Sequence, residues 1–302
     1  MKAVVLHEYG PAKNLVLEEV EAPKPGPGEV LVQIHAAGVN PIDWKIRSGA
    51  MAKMFSIDFP AILGYDMAGT VQEVGEDVTG LAPGDRVFGR TQHTYAEFTV
   101  AKADELAKVP EGLELTTAAA IPVVATTGDQ LVREQGGVQP GQSILLTGAL
   151  GSVGRFAFFT AIELGAKVIA AVRKKQIEEA LALGATAAID IGDEGEIAQL
   201  GTLDAVCDAV GGPLASKLLP HIKPGGTYAS IVGPPQDAAL YPNVQVRAFG
   251  SHADAKAMAH LAEAVRDGKL KLPIGLVLPL DEAADAHAKG ERGGMGKILL
   301  RP

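Results

Sequence analysis

One stretch constrains the fold more than any other. Ser143-Ile144-Leu145-Leu146-Thr147 is an apolar strand-length run, and Gly148-Ala149-Leu150-Gly151-Ser152-Val153-Gly154 follows it directly. Helix-forming sequence, Arg155–Leu164, comes next, and a second apolar run, Lys167–Val172, follows. Strand, glycine turn, helix and strand in that order describe a parallel βαβ unit with a right-handed crossover. The spacing is G-x-x-G-x-x-G, where the commoner fingerprint is G-x-G-x-x-G. Glycine lets backbone approach a pyrophosphate closely, and a helix N-terminus offers free N–H groups and partial positive charge. The turn belongs at the carboxyl end of its strand, where open α/β sheets bind ligands. Gly148, Ala149, Gly151, Ser152 and Val153 are therefore candidate dinucleotide contacts. The alternative is a tight turn with a structural role alone.

The end of the second run indicates which dinucleotide. An NAD site usually carries Asp or Glu about 20 residues past the turn, on the ribose 2′-hydroxyl. Here Ala170-Ala171-Val172 runs into Arg173-Lys174-Lys175. Three cations stand together in a chain with 27 Lys plus Arg against 36 Asp plus Glu, net charge −9. A guanidinium at 173 can hold a 2′-phosphate in bidentate fashion. Arg173 and Lys174 are the candidate ligands and NADPH the expected cofactor, while Lys174 and Lys175 can also be read as a solvated helix start.

The rest of the chain has two textures. Up to about residue 115, short β-type runs (Lys2–Leu6, Leu15–Val20, Glu29–Val39, Gly69–Val74, Asp85–Phe88, Tyr95–Val100) are broken by Pro and Gly, most densely over Ala22–Gly28. This pattern predicts a barrel-like β domain. From about 120, the runs Ser143–Thr147, Lys167–Val172, Ala187–Asp190, Asp204–Val210 and Thr227–Val232 predict a covered parallel sheet. Ala255–Asp267 reads as an amphipathic helix, and Gly296–Arg301 as a last strand able to return to the first domain. The acidic balance argues against a nucleic-acid or anionic-membrane binder. No run approaches 18 apolar residues, and Met1–Leu6 meets Glu8 and Gly10 too soon for a signal peptide. A soluble cytoplasmic protein is expected.

A metal site is not expected. His7, His35, His93, His221, His252, His260 and His287 form no ligand-spaced cluster. His252 and His260 stand eight apart across an expected helix without a fitting partner. The single cysteine, Cys207, lies in an apolar strand and reads as a small filler.

Several motifs together carry a family resemblance: Ala37-Gly38-Val39-Asn40-Pro41-Ile42-Asp43, Gly64-Tyr65-Asp66-Met67-Ala68-Gly69, Pro83-Gly84-Asp85-Arg86-Val87, the glycine turn, Asp208-Ala209-Val210-Gly211-Gly212, Lys223-Pro224-Gly225-Gly226 and Gly296-Lys297-Ile298. Over nearly its whole length the chain resembles the zinc-independent medium-chain dehydrogenase/reductases, in the quinone oxidoreductase and alkenal/enone reductase branch. Zinc-dependent relatives have Cys where Asn40 falls and His where Tyr65 falls, with another Cys near Ala125–Thr127. Their four-cysteine lobe is absent. The resemblance implies a GroES-like β-rich domain, residues 1–118 and 271–302, and a Rossmann doubly wound domain, 119–270. It implies NADPH held in the cleft between them, and commonly a homodimer, with Val244–Gly250 as the candidate joining edge. Thr127, at a helix start, Val210, Ile231, Val232, Gly233, Phe249, Gly250 and Ser251 are further cofactor contacts by position in the family pattern.

A hydride transfer without zinc favours an acceptor that delocalises charge, a quinone or an α,β-unsaturated carbonyl. Asn40, Asp43, Lys45 and Tyr65 are the catalytic candidates. Pro41 starts a short helix, so Asn40 and Asp43 can share a face. The resemblance places Asn40 near the nicotinamide ribose. Lys45 can stabilise an enolate and Tyr65 can donate a hydrogen bond, with water as a possible proton source. The alternatives are that Asn40 only caps that helix, that Asp43 and Lys45 are a surface pair, and that Tyr65 is core. Trp44, Met51, Met54 and Phe55 line the pocket or belong to the core. The competing function is an NADPH-binding redox sensor without turnover.

Overall fold

In Glu29–Val39, the branched and small apolar residues Val30, Val32, Ile34, Ala36, Ala37 and Val39 are buried, while Gln33 and His35 face out. This long strand organises the first half of the chain. The computed structural model describes residues 1–248 and 250–302. In chain order the strands are β1 (Lys2–Leu6), β2 (Leu15–Glu19), β3 (Glu29–Val39), β4 (Ala61–Ile62), β5 (Asp66–Val74), β6 (Arg86–Arg90), β7 (Phe98–Lys102), β8 (Leu106–Lys108), β9 (Ser143–Thr147), β10 (Lys167–Val172), β11 (Ala187–Asp190), β12 (Leu203–Asp208), β13 (Ile222–Ser230), β14 (Gln245–Ala248), β15 (Ile274–Pro279) and β16 (Lys297–Arg301). The α-helices are α1 (Pro41–Arg47), α2 (Leu115–Ala118), α3 (Pro122–Gln130), α4 (Ser152–Glu163), α5 (Ile177–Ala182), α6 (Glu194–Ala198), α7 (Pro213–Leu218), α8 (Ala255–Arg266) and α9 (Ala283–Arg292).

Two units are resolved by their internal packing, Met1–Val123 with Ala253–Pro302, and Val124–His252. In the first, the sheet order is β15-β16-β3-β5-β6-β8, with β7 also pairing β3, and a smaller sheet runs β2-β1-β4. This is the GroES-like domain. The tail strand β16 pairs antiparallel with β3, Ile298 opposite Val39, so the C-terminus does return to the N-terminal sheet. Its core gathers Val4, Leu6, Val32, Met67, Val87, Tyr95 and Leu300. Helix α8 falls in this unit and not in the nucleotide unit, where the sequence boundary at 270 places it; it packs beside β8.

The second unit is a parallel sheet in the order β11-β10-β9-β12-β13-β14. Counted from its first strand this is 3-2-1-4-5-6, the doubly wound Rossmann order, with the switch point between β9 and β12. The strands end earlier than the apolar runs predict. β12 stops at Asp208 and β13 at Ser230, so Val210, Ile231 and Val232 lie in bends beyond the sheet. The edge strand β14 covers Gln245–Ala248 within the run Val244–Gly250, and Phe249 lies outside the described residues. Among the described residues, no helix is long and apolar enough to cross a membrane.

Candidate active site

In the second unit, the candidate nucleotide site begins where β9 ends. The Gly148 N–H donates to the Ala171 carbonyl oxygen (2.9 Å), and that of Gly151 to Gly148 (2.8 Å), closing the turn. Gly148 has φ +62°, a conformation that favours glycine. Gly154 has a different constraint: a Cβ there would overlap the Gly148 carbonyl. Gly151 is exposed and stands at the N-cap of α4 without a side-chain cap. Those first N–H groups are the donors an anion takes. Ser152 and Val153 are half-buried beside it, whereas the Ala149 methyl is buried in the core, leaving only its backbone for contact. Arg155 steadies the turn, donating from Nε to the Leu150 carbonyl (3.1 Å) and pairing with Glu179 (2.6 Å).

Arg173 follows Ala171 by two residues, so it shares this end of the sheet with the turn. Arg173, Lys174 and Lys175 are all exposed, and none has a carboxylate partner among the described residues. On the other side of the switch point, Asp208 is fully buried. Its Oδ1 accepts from Thr147 Oγ1 (2.6 Å) and from the N–H groups of Val210 and Gly211 (3.0 Å each); its Oδ2 accepts from Tyr228 Oη (2.7 Å) and Ser230 Oγ (3.1 Å). This carboxylate fixes the ends of β9, β12 and β13 and the bend bearing Val210. Val210 and Val232 are 48% and 45% exposed, apolar faces open to a ligand at the carboxyl edge. Ile231 and Gly233 are half-buried beside them, and Gly250 is exposed.

Thr127 is not at a helix start, as its sequence suggests; α3 begins at Pro122, because proline suits the first helical turn. Its hydroxyl lies 2.7 Å from that of Ser251. The neighbouring Gly128 permits close packing on α4, since a Cβ would sit 2.6 Å from the Val153 carbonyl. His252 precedes α8, so the expected helix does not carry both His252 and His260. Cys207 is buried, and burial pushes its thiol up to about 12, which leaves it an inert filler.

The first unit holds a second polar cluster in its core. Asn40 ends β3 and occupies the N-cap position of α1, yet its side chain does not cap. Instead its Nδ2 donates to Asp66 Oδ2 (2.8 Å), and its Oδ1 accepts from Lys297 Nζ. Lys297 also pairs with Asp66 Oδ2 (2.7 Å), and Asp66 Oδ1 accepts from the Val123 N–H (2.6 Å). The cap is reversed: Asp43 Oδ2 accepts from the Asn40 N–H (2.8 Å). Asp43 is fully buried, so the surface-pair alternative fails, and Lys45, two residues on along α1, is exposed and apart from it. Tyr95 donates from its hydroxyl to the same Asp43 Oδ2 (2.8 Å) and lies 3.1 Å from His287 Nε2. Burial pushes the Asp43 carboxyl up to about 7, against the hydrogen bonds from Tyr95 and Asn40. Burial holds His287 down to about 3, helped by Arg47. Tyr65 is half-buried, its hydroxyl pushed up by burial and then by the charge of Asp43. Trp44 packs edge-on to His287, Met51 packs on the core, and Met54 and Phe55 are exposed.

Comparison with known proteins follows the same division. Residues 26–111 match the alcohol dehydrogenase GroES-like domain and residues 183–300 the zinc-binding dehydrogenase domain. The mitochondrial NAD(P)H oxidoreductase RTN4IP1 of Mus musculus is 32% identical over 99% of this chain and 89% of its own length. The chain belongs to the medium-chain dehydrogenase/reductase family. Within that family, the 2-methylene-furan-3-one reductase of Solanum lycopersicum is 31% identical over 100% of this chain and 79% of its own. The solved quinone oxidoreductase of Coxiella burnetii superposes with TM-score 0.90 at 29% identity, covering 100% of this chain and 99% of that one.

Among the described residues, no group of three or more His, Cys, Asp or Glu is placed to hold the zinc that one of the family domain names implies. The family resemblance implies that Asn40 and Tyr65 stand where zinc-dependent members have Cys and His. The Asn40 amide oxygen is already held by the Lys297 ammonium, and that fixed positive charge repels a divalent cation. The residues that the sequence reading left without a role are Asp66, Tyr95, Asp208, His287 and Lys297. For Asp66, Asp208 and Lys297 the signal is a charge at the end of an apolar strand, as in Gly-Lys297-Ile-Leu-Leu, since such groups are seldom buried without partners; Tyr95, ahead of β7, and His287, in α9, carry no such signal.

The two shifted groups also set a pH dependence of stability. A carboxyl raised to about 7 stabilises the fold at low pH, and loses that contribution as pH rises from about 4 to about 7. An imidazole lowered to about 3 stabilises above about 6.5, and loses that as pH falls. Between these limits the slopes oppose. Asp43→Asn removes the first, and its urea midpoint is expected to climb from pH 4.5 to 6.5 more steeply than the wild-type midpoint; parallel curves would contradict the assignment.

Proposed function

We propose that this chain is an NADPH-dependent reductase that transfers hydride to a quinone or an α,β-unsaturated carbonyl without a metal. The observation that carries the proposal is the trio Arg173, Lys174 and Lys175, exposed, without carboxylate partners, and next to an uncapped helix N-terminus. In an acidic chain such a cluster fits a 2′-phosphate. The pyrophosphate is assigned to the N–H groups of Gly151, Ser152 and Val153, and the apolar faces of the dinucleotide to Val210, Ile231, Val232 and Gly233. Thr127, Gly250 and Ser251 are assigned to the nicotinamide end. When bound, NADPH supplies the hydride.

The chain's own residues supply the electrostatics. Tyr65 is the half-buried hydroxyl suited to hold an oxygen on which charge develops. Asn40 acts by fixing β3 and α1, because its amide is already engaged with Asp66 and Lys297. Lys45 is exposed and is not assigned to that oxygen. Relatives named for enone and quinone reduction support the acceptor class. The proposal includes a cytoplasmic homodimer joined through β14, the terminal strand of its sheet, whose outer edge offers unpaired backbone groups.

The test is cofactor preference. Loss of a charge-assisted contact to phosphate costs about 1.5–3 kcal/mol. Arg173→Ala is expected to lower kcat/KM for NADPH about tenfold to a hundredfold and to leave that for NADH within about twofold. Equal wild-type kcat/KM for the two cofactors would remove the assignment, and NADPH binding with no oxidation by any quinone or enone would favour a sensor.

A further inference from the structure

Two antiparallel runs of the first unit fall out of step beside Tyr65. Asp66 lies opposite Arg90 in the register of β5 and β6. The Thr91 N–H then donates to the Tyr65 carbonyl (3.0 Å), the Thr94 N–H faces the Gly64 carbonyl at 3.5 Å, and the Tyr95 N–H donates to Leu63 (3.0 Å). Residues 63–66 advance one at a time, while the facing run passes from Thr91 to Thr94. Gln92 and His93 are therefore extra residues, a bulge opposite Tyr65 and Gly64. Both of its ends are pinned. Thr99 Oγ1 donates to the Gln92 carbonyl (2.9 Å), and a Cβ at Gly64 would overlap the Thr94 hydroxyl and the Tyr95 ring. Bulges re-aim a side chain and recur beside active sites.

The side chain re-aimed here is that of His93. Its φ is +62°, a left-handed conformation that is unfavourable for a residue with a Cβ and that clusters at functional sites. Nothing in the fold uses the ring: among the described residues it has no hydrogen bond, ion pair or ring contact. The residue is exposed, yet the protein around it desolvates the imidazole enough to hold it below its ordinary value. A neutral imidazole keeps one N–H to donate. We propose that His93 is a specificity-determining residue of the reductase, donating from its imidazole N–H to the acceptor oxygen that Tyr65 also holds. The inference rests on the reductase reading above. As hydride bonds to the β-carbon of an enone, the π pair shifts and charge collects on the carbonyl oxygen, where two preorganised donors stabilise it. Water then gives the α-carbon its proton. A quinone reduced by the same hydride becomes a hydroquinone anion, whose oxygen takes its proton from water.

His93→Gly removes the donor and the unfavourable conformation together, so activity and stability should part. Its kcat/KM for cyclohexenone and duroquinone is expected to fall about tenfold to a hundredfold, mainly in kcat, because the bond strengthens as charge develops, while NADPH affinity stays within about twofold. Its urea midpoint should stay at or above that of the wild type, since glycine adopts φ +62° freely. His93→Asn supplies an amide donor on a residue type that tolerates the left-handed region, and should return kcat/KM to within about threefold of wild type. A third readout needs no turnover. In 15N-histidine-labelled protein with NADP+, the imidazole resonance missing from His93→Gly should shift when cyclohexenone is added. A glycine variant with wild-type turnover, one that loses stability along with activity, an asparagine variant as slow as the glycine one, or an unmoved imidazole would overturn the proposal while leaving the reductase reading intact. A wild type that binds NADPH and reduces neither acceptor would overturn both.

Discussion

Lys297→Met is expected to destabilise the protein by about 3–5 kcal/mol, the usual consequence of removing one partner of a buried ion pair. Asp66 is fully buried and Lys297 is 3% exposed, so water reaches neither. Without the ammonium, Asp66 Oδ2 keeps only the Asn40 amide, and Asn40 Oδ1 loses its donor. The damage is an uncompensated charge and not a lost attraction, since the intact pair roughly balances its own desolvation. It follows that Asp66→Asn combined with Lys297→Met should recover most of the loss. For a chain of this length, the single variant should melt lower by roughly 10 °C. Chemical and thermal denaturation of the two single variants and the double would check this. A Lys297→Met protein within about 1 kcal/mol of wild type would mean that the ammonium is not what holds Asp66.

The parts of this molecule legible in its sequence are those set by local periodicity and by backbone constraint. β1 and β3 coincide with their apolar runs, and Gly148 and Gly154 sit where the strand-turn-helix pattern puts them. Arg173 and Lys174 could be read as cations because charge and exposure need no tertiary partner. The two-residue strand β4 and the short helices α2 and α6 lack a period long enough to detect, and the apolar run of β15 is interrupted by Gly275, where a Cβ would meet the Met295 carbonyl. The polar core was hidden for a different reason. Asn40, Asp66 and Lys297 lie 26 and 231 residues apart along the chain and meet only because β16 pairs with β3 and β5 pairs with β3. Sequence could mark Asp43 as a neighbour of Asn40 along α1, but it could not bury Asp43 or join it to Tyr95 and His287.

Asp208→Ala is expected to be the most damaging change in the nucleotide unit, at about 3–5 kcal/mol, and to weaken NADPH binding about tenfold. Each buried donor left without an acceptor costs about 1–3 kcal/mol. Three hydroxyls and two N–H groups converge on this carboxylate, so a simple sum would exceed what is expected. The hydroxyls can rotate towards other acceptors, and the vacated space is polar enough to admit a water, which offsets part of the loss. The N–H groups of Val210 and Gly211 cannot rotate, and they fix the bend that carries the exposed Val210, the proposed apolar contact for the dinucleotide. Asp208→Asn provides the control. Its remaining carbonyl oxygen can still serve the Oδ1 position and hold that bend, while the Tyr228 and Ser230 hydroxyls turn to accept from the new amide. Its cost should be closer to about 1 kcal/mol, with NADPH affinity nearly unchanged. Urea unfolding and fluorescence titration with NADPH would measure both quantities. If the alanine and asparagine variants lose equal stability and equal affinity, the negative charge of Asp208 matters at this switch point, and not its acceptor geometry.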